Sequence, residues 1–344
     1  MLFAAAGCDG WPDWSGRRRA AGALGLFAAS SRQEPALSGN GQWLASVIER
    51  NGRLSLLLQR QPDGQVVPLR QIRGHEPHSS PSLSWNGRYV AVLVQQGPQR
   101  LPVIEDRASG QLLRLPLPGD RTAVKLSLAP DAQTLALELV QAGQRQLQLF
   151  DLSGLLEPDR PAGLAVRGGR ARNPTAAAVS RSPRQRCAPG LACLSLCWLL
   201  AGCMGGLPVP LTGLNRQLEQ AGPSREPALG DGWLALISGN GGREQVLLLD
   251  LQRQLPVPLP HLNRPDAQPL AVAVDARGER LVVVRQLEGR TELVLYRRSL
   301  ASLEPIPMVP AGVPKQVSLR ADGRELAVQV SRNGLWQVDL IRLP

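Results

Sequence analysis

Short apolar runs, each broken by a small polar turn, recur along most of this chain. The clearest occupies residues 83–93, LSWNGRYVAVL. Leu83, Ser84 and Trp85 lead into Asn86-Gly87, and Tyr89, Val90, Ala91, Val92 and Leu93 lead out. Asn-Gly is a strong hairpin signal, because a two-residue primed turn needs positive φ at both central positions. The pattern predicts strand, tight turn, strand. It returns as LSGNGQWLASV at 37–47, APDAQTLALEL within 126–139, LGDGWLALI at 229–237, DARGERLVVV within 272–284 and RADGRELAVQV within 317–330.

The turn position falls at Gly41, Gly87 and Ala132, preceded in the last case by Asp131, and then at Gly232, Gly278 and Gly323. The steps are 46 and 45 in the first set and again 46 and 45 in the second. Short strands repeating at that period are the signature of a β-propeller blade. A third strand follows each hairpin: 54–60, 101–107, 146–152, 245–251, 292–298 and 335–343. Outer strands follow at 64–69, 110–117, 255–259 and 304–309. The third and sixth units have none of their own. Three blades cannot close a ring, and an open edge invites pairing, whereas six blades close comfortably. The expected fold is therefore all-β: a six-bladed propeller built from two three-blade halves. The segments before each half, LGLFAAS at 24–30 and GLPVPL at 206–211, are candidates for the missing outer strands.

On this reading residues 1–33 are an N-terminal segment and tether, 34–159 carry blades one to three, 160–225 form a non-propeller insertion, and 226–344 carry blades four to six. The insertion changes how the charge is read. The net charge is +11, but residues 160–190 hold seven arginines and no acid, leaving 11 − 7 = +4 for the rest. The repeats lack the basic stripe and interleaved aromatics of a nucleic-acid surface, so nucleic acid is not an expected partner. The insertion then turns apolar, LACLSLCWLLAGC at 191–203, expected to form one short helix. Thirteen residues span about 20 Å as a helix, too little to cross a bilayer. Arginines, a short apolar stretch and Leu-Ala-Gly-Cys resemble a lipoprotein signal, making Cys203 the candidate lipidation site. MLFAAAGC at the start makes Cys8 a second, weaker one. The other cysteines, at 187, 193 and 197, have neither the spacing nor the polar setting of a zinc site, and the odd total argues against a disulfide framework. Residues 224–229, SREPAL, echo 31–37, SRQEPAL, so each half runs lipobox, tether, three blades. The simplest origin is two tandem lipoprotein genes joined in one frame.

The blades resemble the TolB-like repeat family, whose motif runs Ser-Pro-Asp-Gly-Arg, then a Leu-Ala-Phe-type strand, then a third strand ending in Asp. Ala129-Pro130-Asp131, Asp322-Gly323-Arg324 and Asn86-Gly87-Arg88 match the turn. Leu44-Ala45, Leu135-Ala136, Leu234-Ala235 and Leu326-Ala327 match the next strand, and Asp151 and Asp250 match the acidic end of the third strand. Arg277 and Ala132 depart from the motif. The resemblance covers about two thirds of the chain. It implies an exported, periplasmic protein-binding role, without the additional α/β domain of TolB itself.

Catalysis needs a constellation, and the sequence offers little. There is no Gly-x-Ser-x-Gly elbow and no phosphate-cradling loop. His75-Glu76-Pro77-His78 is the one metal-like cluster, but Pro77 prevents zincin spacing, and a polar inter-blade loop is the expected reading. His261 stands alone. Glu105 and Asp106 are adjacent on a strand and point to opposite faces, so they do not form an acid–base pair. The inner strands read as serines and aliphatics. The expectation is a non-catalytic binding module without metal or cofactor, lipid-anchored in the cell envelope. It would contact protein partners through the inter-blade loops 70–81, 117–125, 260–269 and 308–316. The alternative is a propeller-fold enzyme of lyase or glycosidase type, with acidic or histidine side chains converging on the channel.

Overall fold

The structure, a computed structural model, describes residues 31–50, 52–72, 76–117, 121–160, 207–240 and 242–344. Cys8, Cys203, the apolar stretch 191–203, residues 24–30 and His75 lie outside the described residues.

Six antiparallel sheets follow one another along the chain. Blade one holds β1 (Arg32–Leu37), β2 (Trp43–Arg50) and β3 (Arg53–Arg60). Blade two holds β4 (His78–Leu83), β5 (Tyr89–Gln96), β6 (Gln99–Asp106) and β7 (Gln111–Arg114). Blade three holds β8 (Thr122–Leu128), β9 (Thr134–Gln141), β10 (Gln144–Asp151) and β11 (Val209–Pro210). The helix α1 (Thr212–Gln220) comes next. Blade four holds β12 (Ser224–Leu229), β13 (Trp233–Asn240), β14 (Arg243–Asp250) and β15 (Leu255–Val257). Blade five holds β16 (Ala267–Val274), β17 (Arg280–Leu287), β18 (Arg290–Arg297) and β19 (Ser302–Pro305). Blade six holds β20 (Val313–Leu319), β21 (Glu325–Arg332) and β22 (Leu335–Arg342).

The second strand of every blade has a largely apolar, buried centre because neighbouring blades cover both its faces. Val90 to Leu93 and Val282 to Val284 are almost wholly buried. Separate aliphatic clusters fill the gaps between blades, as when Tyr89, Ala91 and Leu93 of blade two meet Leu126, Leu135 and Leu137 of blade three. Outer strands are short and proline-rich (Pro210, Pro256, Pro305), and proline is tolerated on a sheet edge, where it blunts further pairing. In blade one the expected strand 64–69 is reduced to a single bridge between Gln59 and Val66. Blade three takes its outer strand from within the segment 160–225, which is thus not wholly an insertion, its end being part of the propeller: Phe150 pairs with Pro210 and Asp151 with Val209. Asn215 of α1 then accepts the Leu149 N–H at 2.7 Å and donates back to the Leu149 carbonyl at 3.1 Å.

The turns differ from the expected primed pairs. In five blades the hairpin closes across four residues, as from Ser38 N–H to the Trp43 carbonyl, and only the glycine position has positive φ (Gly41 at 73°, Gly87 at 67°). The Gly41 and Gly87 amides donate to the carbonyls three residues back, as in a type I turn followed by a left-handed residue. Blade four alone closes tightly, Gly230 N–H to the Trp233 carbonyl around Asp231-Gly232.

Ala132 takes that left-handed position at φ 62° and is fully buried. Left-handed strain costs an alanine about 1 kcal/mol, and burying its methyl returns about 0.8 kcal/mol. The two effects nearly cancel. Ala132→Gly is therefore expected to leave stability within about 0.5 kcal/mol in thermal unfolding, since the strain relieved, the lost methyl and the freer unfolded glycine offset one another.

Candidate functional site

The six inner strands surround a central channel of about 400 Å³. Each inner strand carries an irregularity in its pairing at an equivalent step: Gln33/Ala36, Ser79/Ser82, Ala123/Lys125, Arg225/Ala228, Pro269/Ala271 and Pro314/Gln316. Glu34, Ser80 and Glu226 adopt positive φ there (51°, 51° and 54°). A bulge re-aims side chains. Here Glu34, Lys125 and Glu226 line the channel, joined by Glu138 and Arg145 of blade three.

These charged groups are held by one another and by backbone amides. Glu34 accepts the Ser80 N–H, and its own N–H donates to Gln329 Oε1 at 2.9 Å. Lys125 pairs with Glu226. Glu138 accepts Arg145 at 2.8 Å on one oxygen and the Glu226 N–H at 2.9 Å on the other. Burial pushes the Glu138 carboxyl up, against the lowering pull of the Glu226 N–H, Arg145 and Lys125. The expectation of an inner lining of serines and aliphatics is thus corrected. Serines are present, as Ser127 and Ser318, but carboxylates and a lysine stand among them. The signal was visible in the paired Glu-Pro-Ala-Leu of 34–37 and 226–229.

The turns ring one end of the channel, where consecutive blades meet. Gly39 N–H donates to the Ser84 carbonyl, Trp85 N–H to Pro130, Ala276 N–H to Ala321, and Ala321 N–H to Gly39. Of the turn residues singled out in the sequence, Gly87 lies under Trp43 and Gly278 under Trp233: a Cβ there would fall 2.6 and 2.4 Å from the indole. Arg107 covers the Trp43 ring at 3.9 Å and Arg298 the Trp233 ring at 4.7 Å. Gly41 and Gly323 sit against Arg320 and Arg280, respectively, and Gly232 faces Gln252 more loosely. Asp131 accepts Arg160 at 2.8 Å, and the same guanidinium lies 3.7 Å from Asp231 of blade four. Asp159 accepts from the Asn86 backbone and side chain, both at 2.9 Å.

The sequence-derived chemical candidates are dispersed. Glu105 is fully buried and accepts the N–H groups of Arg70, Gln71 and Ile72 at 2.8, 2.9 and 2.7 Å. Asp106 points the other way, toward Arg88 at 2.9 Å. Burial alone would raise Asp106, but Arg88, the Ala108 N–H and the Ser109 hydroxyl hold it at about 2. The two carboxyls form no acid–base pair, as expected from strand geometry. His78 lies in β4 and not in a loop. It is buried, which lowers its pKa, and its Nδ1 has no partner. His261 is exposed in the turn after β15. Among the described residues no three His, Cys, Asp or Glu side chains gather to hold a metal ion, and no helix is long and apolar enough to cross a membrane.

No protein-family profile matches the chain, and no curated protein sequence matches it. Solved structures do. TolB from Acinetobacter baumannii superposes with a TM-score of 0.55 at 12% identity, covering 88% of this chain and 64% of that one. The chain therefore spans under two thirds of that TolB. A protein assigned as TolB from Agrobacterium tumefaciens gives 0.53 at 10% identity, covering 92% of this chain and 91% of that one. An oligogalacturonate lyase solved in complex with manganese gives 0.50 at 10% identity, covering 88% and 72%. Six sheets around a channel and these superpositions lead to one conclusion: the chain has the six-bladed propeller fold of the TolB proteins.

Proposed function

We propose that the chain is a non-catalytic interaction scaffold of the cell envelope, anchored by lipid at Cys203 or Cys8 and binding protein partners through its inter-blade loops. The observation that supports it best is the state of the channel. Glu34, Lys125, Glu138, Arg145 and Glu226 are each engaged by protein groups. Glu34, Lys125, Glu138 and Glu226 serve as cross-blade ties, with Arg145 fixing Glu138 within blade three, and using one as acid or base would break a tie. Loop 70–72 is fixed from below by Glu105, which gives a binding loop a set shape at low entropic cost. The TolB-like fold and the lipobox of the insertion are consistent with an envelope setting. The second reading, a propeller-fold lyase or glycosidase, draws on the presence of carboxylates in the channel and on the lyase among the fold neighbours.

Fractionation of cells expressing the chain tests the proposal. The membrane fraction is expected to hold the protein, Cys203→Ser to move most of it to the soluble fraction, and Cys8→Ser with Cys203→Ser to move the rest. A membrane-bound double variant, or a wild type that is fully soluble, would refute the anchor. A pull-down from envelope extract that returns no protein lost on substituting loops 70–81 or 260–269 would refute the scaffold.

A further inference from the structure

The ring has two seams where the halves meet, one between blades three and four and one between blades six and one. They are built alike. At the first, the Leu229 N–H donates to Ser127 Oγ at 3.0 Å and the Glu226 N–H to Glu138 Oε2 at 2.9 Å. At the second, the Leu37 N–H donates to Ser318 Oγ at 2.9 Å and the Glu34 N–H to Gln329 Oε1 at 2.9 Å. The donors are 192 residues apart (34 to 226, 37 to 229), and the acceptors are 191 apart (127 to 318, 138 to 329). An approximate two-fold axis therefore relates the seams, as in a closed dimer.

The seam between blades six and one joins the two ends of the described chain, so no short covalent connection spans it. It holds through those hydrogen bonds, the bond from the Ala321 N–H to the Gly39 carbonyl, and a small cluster in which Leu37 and Leu44 meet Ala327, Val338 and Leu340. The seam between blades three and four has the two matching side-chain bonds, lacks that turn-to-turn backbone bond among the described residues, and adds ion pairs and apolar contact. Lys125–Glu226 and Arg160–Asp231 cross it. Its apolar cluster is larger, with Leu147 and Leu149 against Leu234, Leu236 and Leu249, capped by Leu214 and Leu218 of α1. The arm β11–α1, which belongs with the second half, pairs with β10 of the first. If the thinner seam closes without a connection, the thicker one needs none.

We infer that the two three-blade halves are complementary subunits, and that the seams keep the ring intact when the connection through 161–206 is cut. Any cleavage in that stretch, including processing ahead of Cys203, then leaves a two-chain ring in place of two free halves. The inference concerns assembly only. It stands or falls apart from the anchor and the partners.

The test is the full-length chain carrying a specific protease site within 161–206, purified intact and then cut. Size-exclusion chromatography and native mass spectrometry are expected to show both pieces together at the mass of the uncut chain at micromolar concentration. Pieces that elute separately or precipitate on cutting would overturn the inference. In the cut protein, Lys125→Glu is expected to weaken the association about tenfold, and adding Glu226→Lys to restore most of it. Loss without restoration by the swapped pair would show that the seam seen here is not what joins the pieces.

Discussion

Glu105→Ala is expected to destabilise the propeller by about 3–5 kcal/mol, since each backbone donor left without its acceptor costs about 1–3 kcal/mol when buried and less when part-buried. The side chain is fully buried, and its two oxygens satisfy three consecutive backbone amides, Arg70, Gln71 and Ile72. Removing it leaves three backbone donors without their acceptor, the Ile72 N–H buried and those of Arg70 and Gln71 part-buried. No nearby side chain replaces it, because Asp106 faces Arg88 on the other side of the strand. Glu105→Gln keeps the shape but offers one acceptor oxygen and turns an amide NH₂ toward an N–H, so about half the loss is expected. Chemical denaturation of the three proteins checks the order, and hydrogen exchange should rise first at residues 70–72. A loss below 1 kcal/mol for the alanine variant would mean that the loop is held by something else.

The second large effect is expected at Gly278. Its φ is 62°, and a Cβ would lie 2.4 Å from Trp233 Cδ2 and 2.7 Å from Cγ. The indole cannot retreat freely, because Arg298 stacks on it and Trp233 begins a strand paired along its length with β14. Gly278→Ala therefore adds overpacking, about 1–3 kcal/mol, to left-handed strain of about 1 kcal/mol. Gly52 separates the two terms. It has φ 73° with nothing within 4 Å of a Cβ, so Gly52→Ala carries strain alone, about 1 kcal/mol. Gly87→Ala, against Trp43, should behave like Gly278→Ala because the two sites are related by the approximate two-fold axis. Equal melting temperatures for the Gly52 and Gly278 variants would show that the indole contact carries no weight.

Much of this fold was legible because its information is local. Each hairpin is announced within a dozen residues by two apolar runs and a glycine, and the 45–46-residue step needs only counting. GLPVPL was legible as a candidate outer strand because it precedes the second half and the first half lacked one. What was not legible depends on neighbours far away in sequence. The turn geometry was read as a two-residue pair because Asn-Gly favours it, yet five turns open wider, across four residues, and the turns bond to neighbouring blades, as Gly39 does to Ser84. The helix α1 buries Leu214, Asn215 and Leu218, with two leucines as its apolar contribution, and no side chain caps its start, so nothing in the sequence separates it from a linker. Glu34 and Glu226 read as strand starts before a proline. Only the bulge, formed against β2 and β13, turns them into the channel. Glu105 and Asp106 illustrate both cases: alternation alone placed them on opposite faces, while the amides that Glu105 binds lie more than 30 residues back.

The chain has two lysines, Lys125 and Lys315. A zero-length carbodiimide cross-link followed by peptide mapping therefore probes the ring with little ambiguity. If the two triplets of blades share one channel, Lys125 should be recovered joined to Glu226 on the opposite side of the seam, in the intact monomer and without added denaturant. Recovery of Lys125 unlinked, or joined only to acids of its own half, would mean that the halves do not meet as described.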